Sequence, residues 1–284
     1  MDQQTLARSF TLEGVGIHTG EHGCITVHPA DPHTGRMFRV GETQLPALVE
    51  YVTDTTRCTT LGVAGVRVST VEHLMSALYG CCIDNALIEV VGPEIPILDG
   101  SALPFVHAIR EAGVRAQPFA ARELWLDDHT RMNDGASHIS AEPCDELALD
   151  VRTEFSDWPE GDVALTAVVG DSDGNFVENV APARTFAFLR EVEMLMKAGL
   201  ARGGSLDNAL IISPPDQFSS PLRMPAEWCA HKLLDTIGDL ALLGARLHLK
   251  ITVQRPGHRL TVSFAKVLRE SCTSRNPHTD SRSI

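Results

Sequence analysis

Long apolar runs are missing from this 284-residue chain. Nothing approaches the roughly 18 apolar residues that span a bilayer, and the opening MDQQTLARSFTLEG has no apolar core of a signal peptide. A cytoplasmic protein without stable membrane insertion is therefore expected. Cationic excess is missing as well. With 24 Lys and Arg against 37 Asp and Glu, the net charge is −13, which argues against a nucleic-acid surface and leaves any phosphate to a few placed cations. Cysteine carries no pattern: the seven, at 24, 58, 81, 82, 144, 229 and 272, are odd in number, scattered, and form no CxxC pair. That excludes a disulfide framework and a cysteine zinc cluster, and fits reduced thiols.

What is present, at His231–Leu240, is a helix that is apolar and charged at once, HKLLDTIGDL. Leu233, Leu234, Ile237, Leu240, Leu242 and Leu243 supply an inner face running to about Gly244, while His231, Asp235 and Asp239 recur every four residues and stack on one side. Burying such groups costs several kcal/mol unless they are paired or bind metal. A neutral imidazole with a carboxylate suits zinc, and three protein ligands with one open position make a catalytic site. Taken alone, the HxxxD pair is more simply a solvated stripe on a surface helix.

Short β-like runs at Ser9–Leu12, Cys24–His28 and Met37–Val40 predict antiparallel strands. Between the first two, the three glycines of GVGIHTG (14–20) make a tight loop that presents His18, although a plain hairpin turn explains them as well. After the polar TDTTRCTT (53–60) and a strand over 65–69, STVEHLMSALYG (69–80) predicts a helix capped by Ser69 or Thr70. Glu72 and His73 are adjacent and must point apart. If His73 ligates a metal, Glu72 can stand beside the open position as a base; a first-turn acid next to a surface histidine is the simpler account of the pair by itself.

A strand Ala86–Val91 and a helix Leu103–Ala112 complete the first half. DNALI at 84–88 returns at 207–211, with helices expected at Thr185–Ala198 and Ala226–Gly244 around the second copy. This predicts an α+β fold of two similar units from an internal duplication, residues 1–118 and 119–270, followed by a polar, disordered tail at 271–284. Strands expected at Glu146–Thr153, Val163–Val169, Arg246–Val253 and Leu260–Phe264 fill the second domain, and QRPGHR sets His258 at a strand junction where its ring can reach a cleft.

Together, GVGIHTG, STVEHLMSALYG, IDNALIEVVGPEIPILDGSA, ARTFAFLR, GLARGGSLDNA, HKLLDTIGDL and the GH pair at 257–258 resemble, in order, the UDP-3-O-acyl-N-acetylglucosamine deacetylases of lipid A biosynthesis. The resemblance covers residues 5 to about 268. It implies two similar two-layer α/β sandwich domains with the active site between them, and hydrolysis of the N-acetyl group of an acylated UDP-amino sugar, with Zn2+ held by His73, His231 and Asp235. It further implies Glu72 as base, His258 as the second proton carrier oriented by Asp239, Thr185 at the oxyanion and Lys232 on the substrate. His18, Ile17, Cys58, Phe186, Phe188, Val192, Ala201, Leu206 and Ala209 would line the sugar and acyl-chain cleft between the two domains. A monomer acting on a small molecule, with no nucleic-acid partner, is implied too. Ala187 and Thr261 stand where the family usually has Gly and Asn, which bears on substrate fit more than on the reaction. Two rivals remain at this point: a non-catalytic paralogue that binds the acylated sugar nucleotide, and a zinc deacetylase of another N-acetyl amino sugar. The joint presence of Glu72, His73, His231, Asp235 and His258 weighs against the first.

Overall fold

The structure, a computed structural model, describes residues 1–170 and 175–275. The first half runs β1 (Asp2–Leu6), β2 (Phe10–Val15), β3 (His22–Pro29), β4 (Arg36–Val40), β5 (Thr43–Pro46), β6 (Val52–Asp54), β7 (Thr60–Val63), β8 (Val66–Val68), α1 (Glu72–Gly80), β9 (Ala86–Val91), α2 (Leu103–Ala112) and β10 (Val114–Ala120). The second runs β11 (Glu123–Trp125), β12 (Thr130–Asp134), β13 (Ser137–Pro143), β14 (Leu147–Thr153), β15 (Val163–Val169), α3 (Asn175–Asn179), β16 (Phe186–Phe188), α4 (Leu189–Lys197), β17 (Leu210–Ser213), β18 (Gln217–Phe218), α5 (Glu227–Leu240), β19 (Arg246–Gln254), α6 (His258–Ser271) and β20 (Thr273–Arg275). The fold is α+β.

Each half builds its main sheet in the same order. The first is β2-β3-β9-β4-β5 and the second contains β12-β13-β19-β14-β15. All neighbours are antiparallel except β4 with β9 and β14 with β19. The flanking pairs match as well, β1 with β10 and β11 with β20, both antiparallel. Alternation drives the central strands: in β19, Leu247, Leu249, Ile251 and Val253 are buried while the residues between them are not, so one sheet face meets the core. Helices cover that face, α5 on β14 and β15, α6 on β12 and β13, and α1 on α5.

The crossing of α1 and α5 is set by one residue. A Cβ at Gly238 would lie 2.1 Å from the Glu72 carbonyl oxygen, so only glycine lets these two backbones touch. Glycine inside a helix costs about 1 kcal/mol against alanine; here it brings Glu72 and His73 against the side of α5 that carries His231, Asp235 and Asp239.

Several expectations are corrected. The second DNALI does not take the place of the first: Leu210–Ser213 is β17, in a separate three-stranded sheet with β16 and β18, whereas β19 occupies the position of β9. The helix expected over Thr185–Ala198 opens as strand β16, whose Phe186–Phe188 pairs in parallel with Leu210–Ile212 before α4 begins. Leu260–Phe264 is not a strand but part of α6, because burial continues through Ala265 to Leu268 at helical spacing and overrides the short alternation of Leu260, Val262 and Phe264. Neither Ser69 nor Thr70 caps α1. Thr70 takes a positive φ of 58° and turns its hydroxyl to Glu94 instead. The disordered tail expected from 271 begins too early, since α6 reaches Ser271 and β20 adds an edge strand; residues 276–284 lie outside the described residues.

Candidate active site

His73 from α1 and His231 and Asp235 from α5 offer one ligand atom each, all within 4.8 Å of one another. The HxxxD spacing stacks His231 on Asp235, placing Nε2 3.3 Å from Oδ1, and His73 Nε2 reaches the same oxygen at 3.7 Å. The two rings stand nearly perpendicular, with centroids 5.0 Å apart. His231 Nδ1–H donates to the Ala183 carbonyl at 3.1 Å, which orients the ring and leaves Nε2 with its lone pair toward Asp235. Burial pushes His231 down to about 3, with Asp235 opposing and His73 and Lys232 assisting, so the ring is neutral as a ligand must be. Burial works against the Asp235 charge, but the groups around it, His231, Lys232, His73 and His258, outweigh it and hold its carboxyl well below the usual range. Lys232 Nζ lies 2.7 Å from Asp235 Oδ2. Two imidazole nitrogens and one carboxylate, all buried, are a donor set that suits zinc.

Glu72 and His258 flank this cluster. The Thr59 main-chain N–H donates to Glu72 Oε2 at 3.0 Å, and Glu72 Oε1 lies 3.9 Å from His258 Nε2. Burial raises the Glu72 carboxyl; Asp235 and Asp239 add to this, and His258 and His73 oppose it. His258 is the first residue of α6, and its Nδ1–H donates to Asp239 Oδ2 at 3.0 Å. Burial works against the imidazolium, but Asp239, Glu72 and Asp235 outweigh it and raise His258 to about 9. At neutral pH the ring holds its proton.

A cleft of about 620 Å³ opens over these groups, walled by both halves. Glu72, His73, His231, Asp235, Lys232 and His258 line it, as do Ile17, His18, Thr185, Phe186, Val192, Ala201, Leu206 and Ala209. Thr185 is pinned from both sides, its N–H donating to the Gly100 carbonyl and its carbonyl accepting from Leu210 N–H, each at 2.8 Å. Two residues expected on the wall are not there. Cys58 is buried with Sγ 3.9 Å from Thr60 Oγ1, because the chain turns at positive-φ Arg57 and presents the arginine instead. Phe188 sits two residues along β16 from Phe186, with ring centroids 6.2 Å apart, and packs against Phe155 and Trp158 beneath the Arg190 guanidinium. Asp239, expected to orient His258, stands behind that ring with Oδ2 on its Nδ1–H.

Two buried residues were not anticipated. Glu94 accepts from His18 N–H, Thr19 N–H, and the hydroxyls of Thr19 and Thr70, at 2.7–3.0 Å at its closer oxygen in each case, and so ties the GVGIHTG loop to the start of α1. A carboxylate inside the apolar GPEIPIL stretch was the available signal. Thr59, which contacts both Glu72 and Asp239, left no local signal.

The family model described as UDP-3-O-acyl N-acetylglycosamine deacetylase matches residues 3–270. The chain belongs to this family. Relatives bearing the name UDP-3-O-acyl-N-acetylglucosamine deacetylase include one from Myxococcus xanthus (strain DK1622), 41% identical over 264 residues, which are 91% of this chain and 83% of the relative. One from Methylococcus capsulatus (strain ATCC 33009 / NCIMB 11132 / Bath) is 42% identical over 267 residues, 91% of this chain and 86% of the relative. One from Legionella pneumophila (strain Corby) is 40% identical over 263 residues, with 91% and 86% covered. For this member of the deacetylase family, no helix among the described residues is long and apolar enough to cross a membrane.

Proposed function

We propose that the protein hydrolyses the N-acetyl group of UDP-3-O-acyl-N-acetylglucosamine, giving acetate and UDP-3-O-acyl-glucosamine, as a cytoplasmic monomer in lipid A biosynthesis. The observation that carries this reading is the convergence of His73, His231 and Asp235 with Glu72 and His258 under a cleft that has an apolar wall. Zn2+ held by His73, His231 and Asp235 would supply Lewis acidity toward the acetamide carbonyl and the attacking water. Glu72 takes the proton of that water as its oxygen bonds to the carbonyl carbon. Thr185, at the cleft wall, donates toward the developing oxyanion, and protonated His258 adds positive charge on the other side. As the C–N bond breaks, His258 gives its Nε2 proton to the leaving amine, while Asp239 on Nδ1 keeps the ring aimed.

Lys232 meets the polar part of the substrate, and Ile17, Phe186, Val192, Ala201, Leu206 and Ala209 take the acyl chain. Each buried CH2 contributes about 0.8 kcal/mol, so the chain is a large share of recognition. The same reading treats residues 1–118 and 119–270 as two units derived from one, supported by their shared strand order. The deciding experiment is a deacetylation assay on acylated and unacylated UDP-N-acetylglucosamine, with and without added zinc. Zinc-dependent turnover strongly favouring the acylated substrate is expected; equal kcat/KM for both would remove the lipid A assignment.

A further inference from the structure

We infer that Thr59 is a positioning residue that holds the base and the acid of this site in register. The inference rests on the deacetylase reading. Thr59 is fully buried and spends all three of its polar groups on the two helices that carry the chemistry. Its carbonyl accepts from Val71 N–H at 3.3 Å, which anchors it to the entry of α1. Its N–H donates to Glu72 Oε2 at 3.0 Å, leaving Oε1 as the carboxylate oxygen nearer His258. Its hydroxyl donates to Asp239 Oδ1 at 2.6 Å, a charge-assisted contact, and lies 3.3 Å from His258 Nδ1.

The geometry of Asp239 explains what the hydroxyl does. One carboxylate oxygen accepts from Thr59 and the other from His258 Nδ1. A carboxylate held at both oxygens cannot swivel about its Cβ–Cγ bond, so the imidazole that depends on it keeps Nε2 pointed at the cleft. Asp239 is 1% exposed, and water cannot replace the donor if the hydroxyl is removed. Valine has the shape of threonine without the hydroxyl. Serine keeps the hydroxyl and loses a methyl.

The test is a cycle of Thr59→Val, Thr59→Ser and His258→Ala with the metal-loaded full chain and acylated UDP-N-acetylglucosamine. Thr59→Val should lower kcat by about 10- to 100-fold with KM nearly unchanged, and Thr59→Ser should restore most of it. In the His258→Ala background, Thr59→Val should add almost nothing, because the group it positions is gone. Equal loss in both backgrounds, or wild-type kcat in Thr59→Val, overturns the inference. If Thr59→Val does not fold, Thr59→Ala takes its place in the same cycle. A readout without turnover separates this inference from the reading beneath it: in 15N-histidine-labelled protein the His258 Nδ1–H resonance should shift in Thr59→Val and return in Thr59→Ser. An unmoved resonance sinks the role of Thr59 even if the enzyme is active. Wild-type protein that leaves the acylated substrate intact sinks the deacetylase reading, whatever the resonance does.

Discussion

Each half interrupts its shared order of elements at the same place, after the fourth strand that the chain adds to the main sheet and before the helix that reaches the site. In the first half the interruption is the ribbon β6-β7-β8, with the loop that carries Arg57 and Thr59. In the second it is β16-β17-β18 with α3 and α4, which brings Phe186, Val192, Ala201, Leu206 and Ala209 to the cleft. The first insertion offers hydrogen bonds to Glu72 and Asp239; the second offers apolar surface. The shared helices α1 and α5 hold the three candidate ligands and the base between them. On the proposed function, the ligands and the base therefore sit on the common helices, while most of the acyl-chain wall, together with Thr185, sits on the second insertion.

The sharpest way to break this division is to remove what the common helices supply. His231→Ala leaves two ligands of three, so metal measured by elemental analysis should fall well below one per chain and kcat/KM by about 10^3 or more. Full metal content in that variant would take the cluster out of the argument. Glu72→Gln keeps the shape of the side chain and its contact with Thr59 but cannot accept a proton, so kcat should fall by roughly 10^2 with metal retained.

A milder change tests the proton held by His258. Its pKa stands at about 9, above the ordinary 6.5, so the protonated acid persists below that value and kcat/KM should decline as pH rises through about 9. The stabilising effect of this charge has the same sign: it is fully present below 6.5 and lost as pH passes about 9. Asp239→Asn removes the foremost partner of that charge. It should lower kcat by roughly 10-fold at neutral pH and move the decline of the pH–rate profile to lower pH. A decline that stays in place would mean another group gives the proton.

The most substrate-selective effect should come from the second insertion. Val192→Asp puts a charge on the apolar wall and should reduce kcat/KM for acylated substrate by about 10-fold, while the unacylated sugar nucleotide is turned over as before. Equal loss on both substrates would erase the distinction between the two insertions.

Legibility in the sequence followed the range of the interactions. The strand Ala86–Val91 and the helix Leu103–Ala112 lie where their patterns placed them, since alternation and helical spacing act within one element. The register of HKLLDTIGDL needed only a helix to stack His231 on Asp235. Leu260–Phe264 was misread because five residues satisfy period 2 and period 3.6 alike, and only the continuation to Leu268 separates them. The Phe186–Phe188 strand was misread because its partner, β17, lies more than twenty residues away and outweighs the local preference for helix.

Residue type and spacing alone offered His231 and Asp235 on one helix face and Glu72 beside His73; the resemblance to the deacetylase family joined these with His258 into one expected site. What only the tertiary structure decided is who touches whom. Thr59 meets Asp239 across 180 residues of chain, Gly238 touches the backbone of Glu72, and Cys58 and Phe188 turn away from a cleft whose neighbours they are in sequence. Hydrogen bonds and close backbone contacts of that range carry no periodicity, because the geometry that makes them favourable exists only after the two helices have crossed.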